Sequence, residues 1–184
     1  RNGPEWYASI GVDRNSGTRL FAVSGHVKRR GVYEFPMGIT LRELIYEHCG
    51  GMRDGRALKA VVPGGSSVPV LTPDQLDIPL DFDSVAKAGS MLGSAGVIVM
   101  DDSTCMVRAA MRISQFYAEE SCGQCTQCRE GTEWLHQILT RLEYGEGRNG
   151  DLETLLDICA NMKALTICPL SDAAAMPVES YIRK

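Results

Sequence analysis

Alternation of apolar and polar residues marks the first hundred positions, and a longer period replaces it afterwards. Thr18 to Val27 is a β-like run, Lys28-Arg29-Arg30-Gly31 is a turn signal, and Gly31 to Phe35 is placed to pair back as a hairpin. Thr40-Leu41-Arg42-Glu43 fits a capping box, in which the Thr hydroxyl and the Glu carboxylate each satisfy a free backbone donor of a first helical turn. Leu41, Leu44, Ile45 and His48 follow at helical spacing, and Gly50-Gly51 stops the helix. Ala57 to Val62 is another strand, ended by Pro63-Gly64-Gly65. A last strand, Gly96 to Met100, lies beyond a Pro-rich loop from Thr72 to Pro79 and a short segment from Asp81 to Ala88. This β-β-α-β order with a late strand predicts a small mixed sheet carrying one helix, the β-grasp pattern.

From Asp101 onward the period becomes helical. Met106, Ala109, Ala110, Ile113, Phe116 and Tyr117 form one apolar stripe, on a helix that Asp101 to Thr104 are placed to cap. A second helix carries Leu135, Ile138, Leu139 and Leu142 on one face, and Gly145 to Gly150 is a flexible break. The third, opened by Asp151, groups Leu152, Leu155, Leu156, Cys159 and Met162, and the last runs from about Ser171 to Arg183. Four amphipathic helices predict a small bundle. The expected fold class is therefore α+β, with a β-grasp domain over 17–100 and a helical domain over 101–184. Residues 1–16 are expected to be a linker or the end of another domain. The chain has no initiating Met and ends on Tyr181-Ile182-Arg183-Lys184 straight after a helical pattern, so it is expected to be a fragment.

Composition narrows the function classes. A 184-residue chain with 44% hydrophobic and 23% charged residues is an ordinary globular composition. Its formal charge of -4 leaves no basic excess to neutralise a phosphate backbone or an anionic membrane surface. Nucleic acid and direct membrane insertion are not expected, and no apolar run reaches membrane-spanning length or forms a secretory signal. The expected setting is soluble and intracellular.

Seven cysteines do not suggest a disulfide framework, because Cys49, Cys105 and Cys159 are scattered while the other four fall in two places. Cys122, Cys125 and Cys128 form a C-x2-C-x2-C run, and Cys168 lies just before Pro169. Three thiolates on one tight loop plus a distant fourth can wrap the corners of a [4Fe-4S] cubane, as ferredoxin-type runs do. A tetrahedral zinc site more often draws on two separated pairs, because every sulfur must reach one ion at about 2.3 Å. Zinc and incidental cysteines remain the second and third alternatives. Cys159 lies on an apolar stripe and competes poorly with Cys168 as the fourth ligand, while Cys49 and Cys105 are expected to be packing residues. Gly123 leaves room for close backbone approach, and the positive end of the helix beginning near the run favours an anionic cluster. Arg129 is either a further tuning charge or a solvated surface residue.

Other signals are weak. Pro63-Gly64-Gly65-Ser66-Ser67 lacks the Lys and the helix of a phosphate loop and is a turn. His26, His48 and His136 are isolated from one another in sequence, and no residue is assigned a catalytic role.

The stretch Glu120 to Gly131, with Trp134 behind it and Thr166-Ile167-Cys168 ahead of Asp172-Ala173-Ala174-Ala175, resembles the family of NADH-binding flavoprotein subunits of respiratory complex I, known in bacteria as the F subunits of NADH-quinone oxidoreductase. Ser24-Gly25-His26-Val27, Gly50 to Gly55, Pro63 to Ser67 and Asp81-Phe82-Asp83-Ser84 extend the likeness over nearly the whole chain. Gln127, Ser171 and Met176 depart from the family pattern without removing a cysteine. The resemblance implies a soluble ligand-binding β-grasp domain followed by a helical iron-sulfur domain. It further implies that Cys122, Cys125, Cys128 and Cys168 hold a cluster taking electrons singly from reduced FMN, on the way from NADH to quinone. FMN and NAD(H) would bind upstream of this chain. Other subunits of an NADH dehydrogenase module would be its partners, at the cytoplasmic side of the inner membrane. Flavoprotein subunits of NAD-linked hydrogenases and formate dehydrogenases share this implied architecture.

Overall fold

The computed structural model describes residues 1–184. They divide into two compact units, Arg1–Ser103 and Thr104–Lys184, and the fold is mixed αβ.

In the first unit a short helix α1 (Gly3–Ala8) and a two-stranded hairpin, β1 (Gly11–Val12) with β2 (Asn15–Ser16), precede the main sheet. That sheet contains β3 (Thr18–Gly25), β4 (Gly31–Pro36), β5 (Leu58–Val62) and β6 (Gly96–Asp101) in the order β4-β3-β6-β5. β3 runs antiparallel to β4 and parallel to β6, and β5 is antiparallel to β6. Alternation explains which face is covered, since Phe21 and Val23 of β3 are buried while Leu20 is exposed. Val97 and Val99 of β6 join them in a core completed by Leu41, Leu44 and Ile45.

The capping box is present. Glu43 N–H donates to Thr40 Oγ1 at 3.1 Å, and Thr40 N–H donates to the Glu43 carboxylate at 2.9 Å. The helix it starts widens into a π-helical turn over Glu43–His48, so that Cys49 N–H reaches back five residues to Leu44 C=O. A second capping box joins Thr72 and Gln75 in the Pro-rich loop. The short segment after it is helix α2 (Phe82–Lys87), capped by the Asp81 carboxylate accepting from Ser84 N–H at 2.7 Å.

The second unit holds α3 (Met106–Glu120), α4 (Thr126–Glu143), α5 (Asp151–Met162) and α6 (Leu170–Arg183). α3 packs on α4 and α6, α4 on α5 and α6, and α5 on α6. Leu135, Ile138, Leu139, Leu155, Cys159, Met162, Ala174, Ala175 and Val178 fill their core. No helix is long and apolar enough to cross a membrane.

Three sequence expectations need correction. Asp101 to Thr104 do not cap α3, because the N-cap position falls on Cys105; Asp101 ends β6 and is wholly buried, accepting from Ser103 N–H at 3.1 Å. The apolar stripe of α3 is rotated from its expected phase, since Met111 and Ser114 turn inward while Phe116 remains 49% exposed. Leu152 points outward from α5 rather than joining Leu155, Cys159 and Met162.

Candidate metal centre

The cysteine run bridges α3 and α4. Cys122 is exposed, Cys125 is partly covered and occupies the N-cap of α4, and Cys128 is buried in its first turn. Gly123 makes the turn with φ +77°, a conformation that costs glycine nothing. Arg129 is engaged with the loop: its Nη1 donates to Gly123 C=O at 2.7 Å and its Nε lies 3.0 Å from Glu130. Ser121 Oγ lies 3.4 Å from Cys128 Sγ and accepts from Gly123 N–H at 3.4 Å.

Cys168 is exposed on the segment joining α5 to α6. That segment is tied at both ends. Ser171 Oγ donates to Met162 C=O at 3.0 Å, the Asp172 carboxylate accepts from Ala164 N–H at 2.9 Å, and Lys163 pairs with Glu179. Between these ties, Ile167 N–H donates to Cys125 Sγ at 3.5 Å. The residue preceding Cys168 therefore lies against a thiol of the run, although Cys168 comes well after it in the chain. No group of three or more His, Cys, Asp or Glu side chains is gathered closely enough to hold a single metal ion.

The donor set suits an iron-sulfur cluster. The candidates Cys122, Cys125, Cys128 and Cys168 are all free thiols, and iron-sulfur clusters are held mainly by thiolates. A cluster also spreads its ligands around several metal atoms, whereas every ligand of a zinc ion must reach one centre.

The other cysteines occupy different settings. Cys159 is fully buried beside Ala175 C=O, and burial pushes its thiol pKa up to about 12. Cys49 is also buried in an apolar core. Cys105 is not the expected packing residue: it is exposed and its thiol donates to Glu143 at 3.2 Å. That contact contributes most to holding the Glu143 carboxyl below its ordinary range, with Arg108 adding to it. His48 packs on Phe35, and His26 faces Asp101 at 2.9 Å.

Sequence reasoning missed a groove of about 500 Å³ between α4 and α5, lined by Thr126, Gln127, Trp134, Ile158 and Met162 among others. Gly131 permits the close helix approach beside it, because a Cβ there would lie 2.6 Å from Met162 Sδ. The half-exposed Trp134 was the available sequence signal.

Comparison with known proteins places these features in a wider group. The NADH-ubiquinone oxidoreductase-F iron-sulfur binding region matches residues 108–184, and the SLBB domain matches residues 19–99. The second NADH-quinone oxidoreductase F subunit of Rhizobium meliloti is 52% identical over 98% of this chain and 43% of its own length. The F subunit of Rickettsia felis is 48% identical over 100% of this chain and 44% of its own. The chain thus spans less than half the length of these relatives. Among solved structures, the air-oxidised NAD+-reducing [NiFe]-hydrogenase superposes with a TM-score of 0.88 at 31% identity, covering 99% of this chain and 31% of that one.

Proposed function

We propose that this chain is part of an NADH-quinone oxidoreductase F subunit and carries a [4Fe-4S] cluster on Cys122, Cys125, Cys128 and Cys168. Its role is to relay electrons within an NADH dehydrogenase module, from reduced FMN towards quinone. The observation that carries the assignment is the Ile167 N–H to Cys125 Sγ contact, which sets the Cys168 segment beside the cysteine run. A bound cluster supplies a one-electron couple whose potential depends on hydrogen bonds and charge around its sulfurs. In this reading the α3–α4 turn would hold three of the thiols and the tied α5–α6 segment would supply the fourth, with burial shielding Cys128 from water.

FMN and NAD(H) belong to the full-length subunit in this proposal, with no site in this chain, and the partners are other subunits of a cytoplasmic module peripheral to the inner membrane. The first unit is read as a β-grasp domain and the second as a four-helix iron-sulfur domain. The parallel β3–β6 pair at the centre of the sheet supports the former. The hydrogenase superposition favours a second reading, an equivalent flavoprotein subunit of an NAD-linked hydrogenase, but the sequence identity to the F subunits is higher.

Anaerobic reconstitution tests the cluster. Iron and acid-labile sulfide should bind in equal amounts, roughly four of each per chain. Cys168→Ala should lose most of that uptake, whereas Cys159→Ala should keep it. Zinc bound without sulfide would establish a zinc-stapled interaction module instead, and uptake unchanged by Cys168→Ala would refute the ligand set.

A further inference from the structure

The contact between Ser121 and Cys128 has a defined direction once Cys128 binds metal. Their 3.4 Å separation permits either atom to donate in a free thiol. A metal-bound cysteine is a thiolate without a proton, so the hydrogen must come from the Ser121 hydroxyl. That hydroxyl has one hydrogen and two lone pairs. Gly123 N–H approaches its oxygen at 3.4 Å and engages a lone pair, leaving the hydrogen available to the sulfur. Burial of Cys128 gives this bond weight, because water has little access to replace the donor. Cys122 and Cys168, both exposed, have solvent as an alternative partner.

We infer that Ser121 is a positioning residue whose hydroxyl donates to the Cys128 sulfur and raises the reduction potential of the cluster. The inference rests on the cluster assignment above. Reduction adds one electron and one negative charge, much of it shared by the sulfurs, and a donor aimed at a sulfur stabilises that charge. Removing the donor therefore lowers the potential.

The test uses the full chain, reconstituted with iron and sulfide, as wild type and as Ser121→Ala, Ser121→Thr and Ser121→Val. Threonine and valine have nearly the same shape and differ in the hydroxyl, so disturbed packing affects both. Each protein is titrated anaerobically with dithionite, which gives one electron per cluster and is itself oxidised, while electron paramagnetic resonance follows the reduced form. The alanine and valine variants should show a several-fold weaker reduction equilibrium than wild type, with threonine close to wild type. A tenfold change would read as about 59 mV for a one-electron couple. Equal potentials for threonine and valine overturn the inference. Failure of valine alone to retain the cluster also overturns it, by assigning the hydroxyl to assembly rather than tuning. If wild type itself takes up no cluster, the cluster assignment fails and removes the basis for the inference.

Discussion

Two leucines one turn apart on α5 provide a direct test of how the helical unit is packed. Leu155 is 0% exposed and belongs to the core with Leu135, Cys159 and Val178, whereas Leu152 is 50% exposed. Replacing Leu155 with Ala removes fully buried methyl groups and leaves a cavity, costing about 3–5 kcal/mol. At Leu152 no enclosed cavity forms, and only about half of the roughly 1.5–3 kcal/mol for full leucine burial is at stake, so the loss is about 1 kcal/mol. The intrinsic helix propensity change is the same at both sites and cancels in the difference. What remains is roughly 2–4 kcal/mol, or about 10–30 °C in melting temperature at roughly 4–8 °C per kcal/mol for a domain of this size. Urea unfolding followed by far-UV ellipticity measures the difference, with all variants in the same metal state because bound metal shifts apparent stability. Equal losses at the two positions, or a larger loss at Leu152, would refute the assignment of the buried face.

Burial and acidity yield two further expectations. In the metal-free chain, a thiol reagent at mildly alkaline pH should modify the exposed Cys105, Cys122 and Cys168 quickly and leave Cys159 unmodified until the protein unfolds; peptide mass mapping reads each site, and early labelling of Cys159 would contradict its burial. The Asp151 carboxyl is held below the ordinary aspartate range by its bond to Arg141 and then by Arg148 N–H. Its contribution is fully present above the unfolded-state pKa of about 3.9 and disappears as pH falls through the lower folded value. Asp151→Asn should therefore reduce stability most at neutral pH and flatten the acid limb of a pH–stability curve, while an unaltered limb would count against the pairing.

Local patterns were legible where local chemistry determines structure. The β3–β4 hairpin, the Thr40–Glu43 capping box and the final helix depend on short-range signals, and each lies within a few residues of its expected place. The phase of α3 was harder to read because Phe116 counts as apolar at helical spacing, although packing against α4 and α6 selects Met111 and Ser114 instead. Asp101 resembled a cap because acidic residues favour helix starts, but the chain uses it to end β6 beside His26. At the candidate centre the cysteine run is visible as spacing. The Ile167 contact is not, since it depends on how α5 and α6 return the chain to α4. The α4–α5 groove likewise arises from the close approach at Gly131 and Met162, which no window along one helix contains.

The ties around the α5–α6 connection have a consequence for affinity. Bringing two points of a flexible chain together costs entropy that grows with the logarithm of the intervening length. Ser171, Asp172 and Lys163 meet much of that cost during folding, before any inorganic group arrives. In the proposed cluster site, Cys168 would thereby be presented at a high effective concentration. Loosening those anchors would appear as faster dissociation of iron even with every cysteine intact.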